Sequence, residues 1–139
     1  MDEHASRTFT THWRVRQYEL DINGHVNNSV YIAYAEEVAT RHAEALGFGR
    51  TWTRERSGSW VVRKHAITYH RPATYGEALA LTTRVETLHG ARAIRRTSIR
   101  LGDDGPLVAE IETEWVWVRQ ADGRPMRIPS EIIDAFGSV

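Results

Sequence analysis

The chain has 139 residues, 41% of them hydrophobic, and its 18 Lys+Arg balance 18 Asp+Glu to a formal net charge of +0. This is the composition of a single globular domain, expected to span residues 1–139, and it argues against a nucleic-acid binder, which carries a basic excess or stripe. No cysteine is present, which excludes disulfides, thiolate metal sites and cysteine nucleophiles and suits a reducing compartment. Residues 1–12 are polar, and no run approaches the roughly 18 apolar residues of a membrane span, so the expected setting is cytoplasmic with no membrane contact.

In chain order, residues 8–18 are rich in Thr, Trp, Val and Tyr with partial alternation, which predicts a first strand. From about 28 to 46, Tyr31, Ala35, Val38, His42 and Leu46 recur at spacings of three and four, the pattern of one long amphipathic helix. Gly47 and Phe48 supply its stop: a residue suited to a left-handed conformation, then an apolar one to pack back. A polar stretch near 51–58 leads into four predicted strands at about 59–70, 77–88, 92–101 and 107–120. The reversals at Gly90, Gly102 to Gly105 and Asp122-Gly123 are too short for crossover helices, so the strands are antiparallel neighbours. Ser130 is the expected N-cap of a short final helix with its body over 131–136. The expected fold is therefore α+β, one long helix on one face of a curved five-stranded antiparallel sheet. Large apolar residues on both faces of the segment containing Trp115 and Trp117 point to a homo-oligomer, a dimer or a tetramer.

The densest polar cluster runs from Tyr18 to Asn28, between the first strand and the long helix. Asp21, Asn23 and His25 place a carboxylate, an amide and an imidazole at alternate positions, and a helix N-terminus follows whose free N–H groups can hold an oxyanion. These groups suffice for acyl hydrolysis. Asp and Asn are equally the residues that form turns and cap helices, and that plainer reading stands beside the catalytic one.

The pattern Asp21-x-x-Gly24-His25-Val26-Asn27-Asn28-x-x-Tyr31 resembles the signature of the hotdog-fold acyl thioesterases, the superfamily of 4-hydroxybenzoyl-CoA thioesterase and the plant acyl-ACP thioesterases. The likeness covers essentially the whole chain, including Tyr69-x-x-Pro72-Ala73-x-x-Gly76-Glu77 and the Gly123-Arg124-Pro125 to Pro129 ending. It implies a hotdog fold, hydrolysis of an acyl-CoA or acyl-carrier-protein thioester, no cofactor and no metal. Asp21 would be the essential acid, as nucleophile or as general base, with Asn23 and His25 as its companions. The backbone N–H of Asn28 would be the oxyanion donor. Some relatives carry an acid before the aromatic residue of the second strand, where this chain has Thr68, so a second acid is not expected. Glu36 and Glu37 read as a solvated or dimer-facing pair. A non-catalytic acyl-thioester-binding module is the rival reading.

The seven histidines lack metal-ligand spacing, and His65 and His70, five apart on a strand, point to opposite faces. No Gly-x-Ser-x-Gly elbow is present, against a serine-hydrolase mechanism. Arg92, Arg95, Arg96 and Arg100 form the one basic concentration, read as a solvated face in preference to a site for coenzyme A phosphates. Trp52, Trp60, Trp115 and Trp117 read as packing and interface residues.

Overall fold

Each strand segment alternates apolar and polar side chains along an extended backbone, so it has one face to bury and an edge to pair. The computed structural model, which describes residues 7–137, satisfies both demands in one sheet. The elements are β1 (Thr8–Arg14), a 3-10 turn (Gln17–Glu19), α1 (Val30–Ala45), α2 (Arg50–Glu55), β2 (Gly58–Tyr69), β3 (Ala78–His89), β4 (Arg92–Leu101), β5 (Leu107–Arg119) and α3 (Ser130–Phe136). The sheet order is β1-β3-β4-β5-β2 with every neighbouring pair antiparallel, which leaves β1 and β2 as the edges. None of the helices is long and apolar enough to cross a membrane.

Helix α1 buries Tyr31, Tyr34, Ala35, Val38, Ala39 and His42, a stripe at spacings of three and one. The small residues in that stripe let it lie close on the inner face of the sheet, where Leu79, Leu81, Ile99, Ala109 and Ile111 complete one core cluster. Its end is a Schellman motif: the Phe48 N–H donates to the Ala43 carbonyl at 2.8 Å and the Gly47 N–H to the Glu44 carbonyl at 3.0 Å. Gly47 sits at φ 90, a conformation in which any side chain is strained. Phe48 then packs edge-on against Trp52, and with Trp60, Trp117, Ile132 and Phe136 it belongs to a second cluster under the other half of the sheet.

Three expectations are corrected. The first strand ends at Arg14, four residues early, because the buried Glu19 carboxylate accepts the Arg16 N–H at 2.8 Å and draws the chain into the 3-10 turn. The polar stretch near 51–58 contains α2, which carries Trp52 onto Trp117. The N-cap of α3 is Pro129, and no side chain caps it.

The outer face is a charged ladder. Arg96 reaches Glu86 at 3.0 Å and Glu112 at 3.3 Å, and Glu114 takes both Arg63 and Arg92. The large exposed apolar side chains are Val61 and Tyr69 on β2, Tyr18 on the 3-10 turn, and Ile22 and Tyr75 on the loops.

Candidate active site

The segment between β1 and α1 is closed by two isolated antiparallel bridges, Leu20 with Val26 and His25 with Thr74. Inside the first, the Asp21 N–H donates to the His25 carbonyl at 2.7 Å and the Gly24 N–H to the Asp21 carbonyl at 3.0 Å. Gly24, at φ 76, supplies the left-handed residue this tight reversal needs. Asp21 Oδ1 accepts the N–H of Asn23 at 2.8 Å and of His25 at 3.2 Å, an Asx turn. The other carboxylate oxygen, Oδ2, accepts no hydrogen bond from the described residues. The turn therefore occupies one oxygen of Asp21 and leaves the other available for chemistry.

Asn23 and His25 are brought to Asp21 through their backbone amides; neither side chain hydrogen-bonds the carboxylate. Asn23 is exposed and His25 half-buried. Of the two asparagines before the helix, Asn27 holds the N-cap residue Ser29: its Oδ1 accepts the Ser29 N–H at 3.0 Å and the Ser29 hydroxyl at 2.9 Å, and its carbonyl accepts the Val30 N–H at 2.9 Å. The Asn28 carbonyl accepts the phenol of Tyr69 at 2.8 Å. The Asn28 N–H has no acceptor among the described residues, so a donor stands ready at the start of a 16-residue helix whose N-terminus favours negative charge.

Behind the turn lies a support that the sequence does not single out. The Glu19 carboxylate, 5% exposed, accepts the Trp13 indole N–H with both oxygens at 3.1 and 3.2 Å, while the Glu19 carbonyl accepts the Asn27 N–H at 2.9 Å. The Arg16 guanidinium stacks over the Trp13 ring at 3.7 Å. A glutamate beside an aromatic-rich strand was the available signal, and only its burial reveals the role. Tyr31 stands between the phenols of Tyr34 and Tyr69, edge-on to both. Burial pushes the Tyr31 phenol up to about 12, partly offset by a hydrogen bond with the Ala73 backbone. Burial, and then the Glu19 carboxylate, drives the Tyr34 phenol far above its ordinary value.

Thr68 is exposed on β2. Glu37 pairs with Arg41 at 2.8 Å one turn on, and Glu36 approaches His65 at 3.9 Å. The basic concentration on β4 divides: Arg92, Arg96 and Arg100 lie on the outer face, whereas Arg95 is buried beneath α1, against the reading of one solvated face. The described residues contain no group of three or more His, Asp or Glu able to hold a metal ion.

The family model of the thioesterase-like superfamily matches residues 15–136. The chain is 28% identical over 122 residues to the long-chain acyl-CoA thioesterase FadM of Escherichia coli K12, covering 88% of this chain and 92% of FadM. It is 27% identical to the chloroplastic acyl-acyl carrier protein thioesterase ATL2 of Arabidopsis thaliana, covering 89% of this chain and 65% of that protein. In fold it resembles the 1,4-dihydroxy-2-naphthoyl-CoA thioesterase of Synechocystis, with a TM-score of 0.85, 16% identity, and coverage of 93% and 95% of the two chains.

Proposed function

The chain belongs to the thioesterase-like superfamily, and from that membership we propose that it hydrolyses acyl thioesters, of coenzyme A or of an acyl carrier protein, at the turn that holds Asp21. The observation that carries the reading is the division of labour within Asp21: Oδ1 is spent on the turn, Oδ2 is uncommitted, and the uncommitted Asn28 N–H opens the adjoining helix.

Hydrolysis needs the thioester carbonyl polarised and its carbon attacked. The carbonyl oxygen sits at the start of α1 and takes the Asn28 N–H as charge develops on it. Asp21 acts from the other side in one of two ways. As a nucleophile, Oδ2 bonds to the carbonyl carbon, the C–S bond breaks, and water then opens the resulting anhydride. As a general base, it takes a proton from the attacking water. In either route the thiolate leaves with a proton, which His25 supplies, and the Asn23 side-chain amide, which does not bond the carboxylate, holds the water. No cofactor or metal enters this scheme.

The unpaired edge of β2, with Val61 and Tyr69 exposed along it, is the surface through which two copies join. The rival, a binding module in which Asp21 only shapes the turn, draws on the same Asx geometry. Thiol release from short, long, branched and aromatic acyl-CoAs and from acyl carrier protein separates the two. Turnover of one class identifies the substrate, while tight binding without thiol release favours the module. Light scattering on the same sample reads the oligomeric state.

A further inference from the structure

Among the described residues, one arginine is buried on the inner face of the sheet. Arg95 is 8% exposed, beneath α1, and its Nη1 donates to His42 Nδ1 at 2.9 Å and to Thr83 Oγ1 at 3.2 Å. A guanidinium only donates, so Nδ1 is the acceptor and the His42 ring N–H is at Nε2. The Phe136 ring lies 5.5 Å from Cζ. Among the described residues no carboxylate pairs with Arg95, and its Nε and Nη2 donate no hydrogen bond. Those two nitrogens form the side-on edge whose parallel N–H groups match the two oxygens of a carboxylate. Burial lowers Arg95 to about 10, which still leaves it charged at neutral pH. A buried cation without a counterion is costly, and a ligand that brings one removes the cost.

Arg95 also lines a cavity of about 580 Å³ along the C-terminal half of α1, a volume within the usual range for small-molecule sites. Its apolar lining includes Phe48, Trp60, Trp115 and Phe136. The Trp115 indole N–H is buried with no hydrogen-bond partner among the described residues, a second unanswered donor in the same lining. Glu44, Arg50 and Arg54 also line the cavity, so an aromatic wall and a buried cation share it with charged side chains from α1 and α2.

We propose that this cavity binds an apolar carboxylate, its chain against the aromatic lining and its two oxygens held side-on by Nε and Nη2 of Arg95. The carboxylate belongs either to a free acid or to the far end of a long acyl thioester. This binding goes beyond the thioesterase reading and stands without it, because it is measured in the absence of turnover.

Tryptophan fluorescence, with calorimetry as a cross-check, follows titration of the intact protein with decanoate and with decan-1-ol. The expected result is binding of the acid at least about tenfold tighter than the alcohol, the scale of a charge-assisted pair. Arg95→Met abolishes that preference and Arg95→Lys restores part of it. Equal affinities for acid and alcohol in the wild type, no binding of either, or a preference unchanged in Arg95→Met overturns the proposal; the wild-type contrast decides by itself where a variant does not fold. The source is then read by comparing binding of S-decyl-CoA, a thioether that cannot be hydrolysed, with that of its ω-carboxy analogue. A tenfold advantage for the analogue assigns the carboxylate to an acyl group, and parity assigns it to a free acid.

Discussion

The phenol of Tyr69, at the end of β2, donates to the carbonyl of Asn28, two residues before α1, at 2.8 Å. The bond ties a sheet edge to the residue whose N–H is proposed to receive the oxyanion, and the Tyr31 ring backs it edge-on at 5.6 Å. Tyr69→Phe keeps the ring and removes the tether. A neutral hydrogen bond is worth about 0.5–1.5 kcal/mol, so steady-state kinetics on the variant is expected to show kcat reduced by up to about tenfold with KM little changed. An unchanged kcat would mean that the tether does not align the donor.

Asp21 shapes a turn as well as serving the proposed chemistry, and two substitutions separate these roles. Asp21→Ala removes the acceptor for two backbone N–H groups and is expected to cost about 1–2 kcal/mol of stability. Asp21→Asn retains an acceptor oxygen and is expected to cost well under that. Urea denaturation of the two variants beside the wild type makes the comparison.

Tyr31 gives a stability signature at alkaline pH. Its phenol ionises at 10.0 ordinarily and at about 12 in the fold. Below pH 10 both folded and unfolded chains keep the proton, and the contribution of Tyr31 is fully present. Between about pH 10 and 12 the unfolded state releases its proton first, so stability falls across that window. Denaturation midpoints over this range are expected to decline less steeply in Tyr31→Phe than in the wild type.

Gly58 is set against the six-membered ring of Trp117, and an added Cβ would collide with it. Since Trp117 is 1% exposed and wedged between Trp52 and Trp60, it has little room to yield. Gly58→Ala is expected to destabilise by about 1–3 kcal/mol through overpacking, read as a lowered melting temperature.

Much of this architecture is legible in local chemistry. The stripe from Tyr31 to His42 and the stop at Gly47 and Phe48 define α1 because the helix buries one face and ends by a motif whose side-chain demands are local. The features that escape are those set by distant partners. The end of β1 depends on Glu19 turning back to Trp13 and Arg16, and α2 has a single half-buried aromatic anchor, Trp52, instead of a periodic face. At the site, Asp21, Asn23 and His25 are nameable from their alternation, whereas Asn28 is named by the family resemblance. The division between Asn27, which holds the N-cap Ser29, and Asn28 as uncommitted donor depends on which amide faces which oxygen. Arg95 escapes for a related reason: strand parity places it opposite Arg96, but only packing against α1 determines which face is buried.

The measurement that tests the central claim most directly is the rate of thiol release from the preferred acyl-CoA by wild type and by Asp21→Asn, with circular dichroism and light scattering confirming an unchanged fold and assembly. The account predicts a loss of at least about a hundredfold in kcat, within the range attributed to general acid–base catalysis, because the amide keeps the turn but offers neither a nucleophilic oxygen nor a base. Equal rates in the two proteins would contradict it and reduce Asp21 to a turn residue.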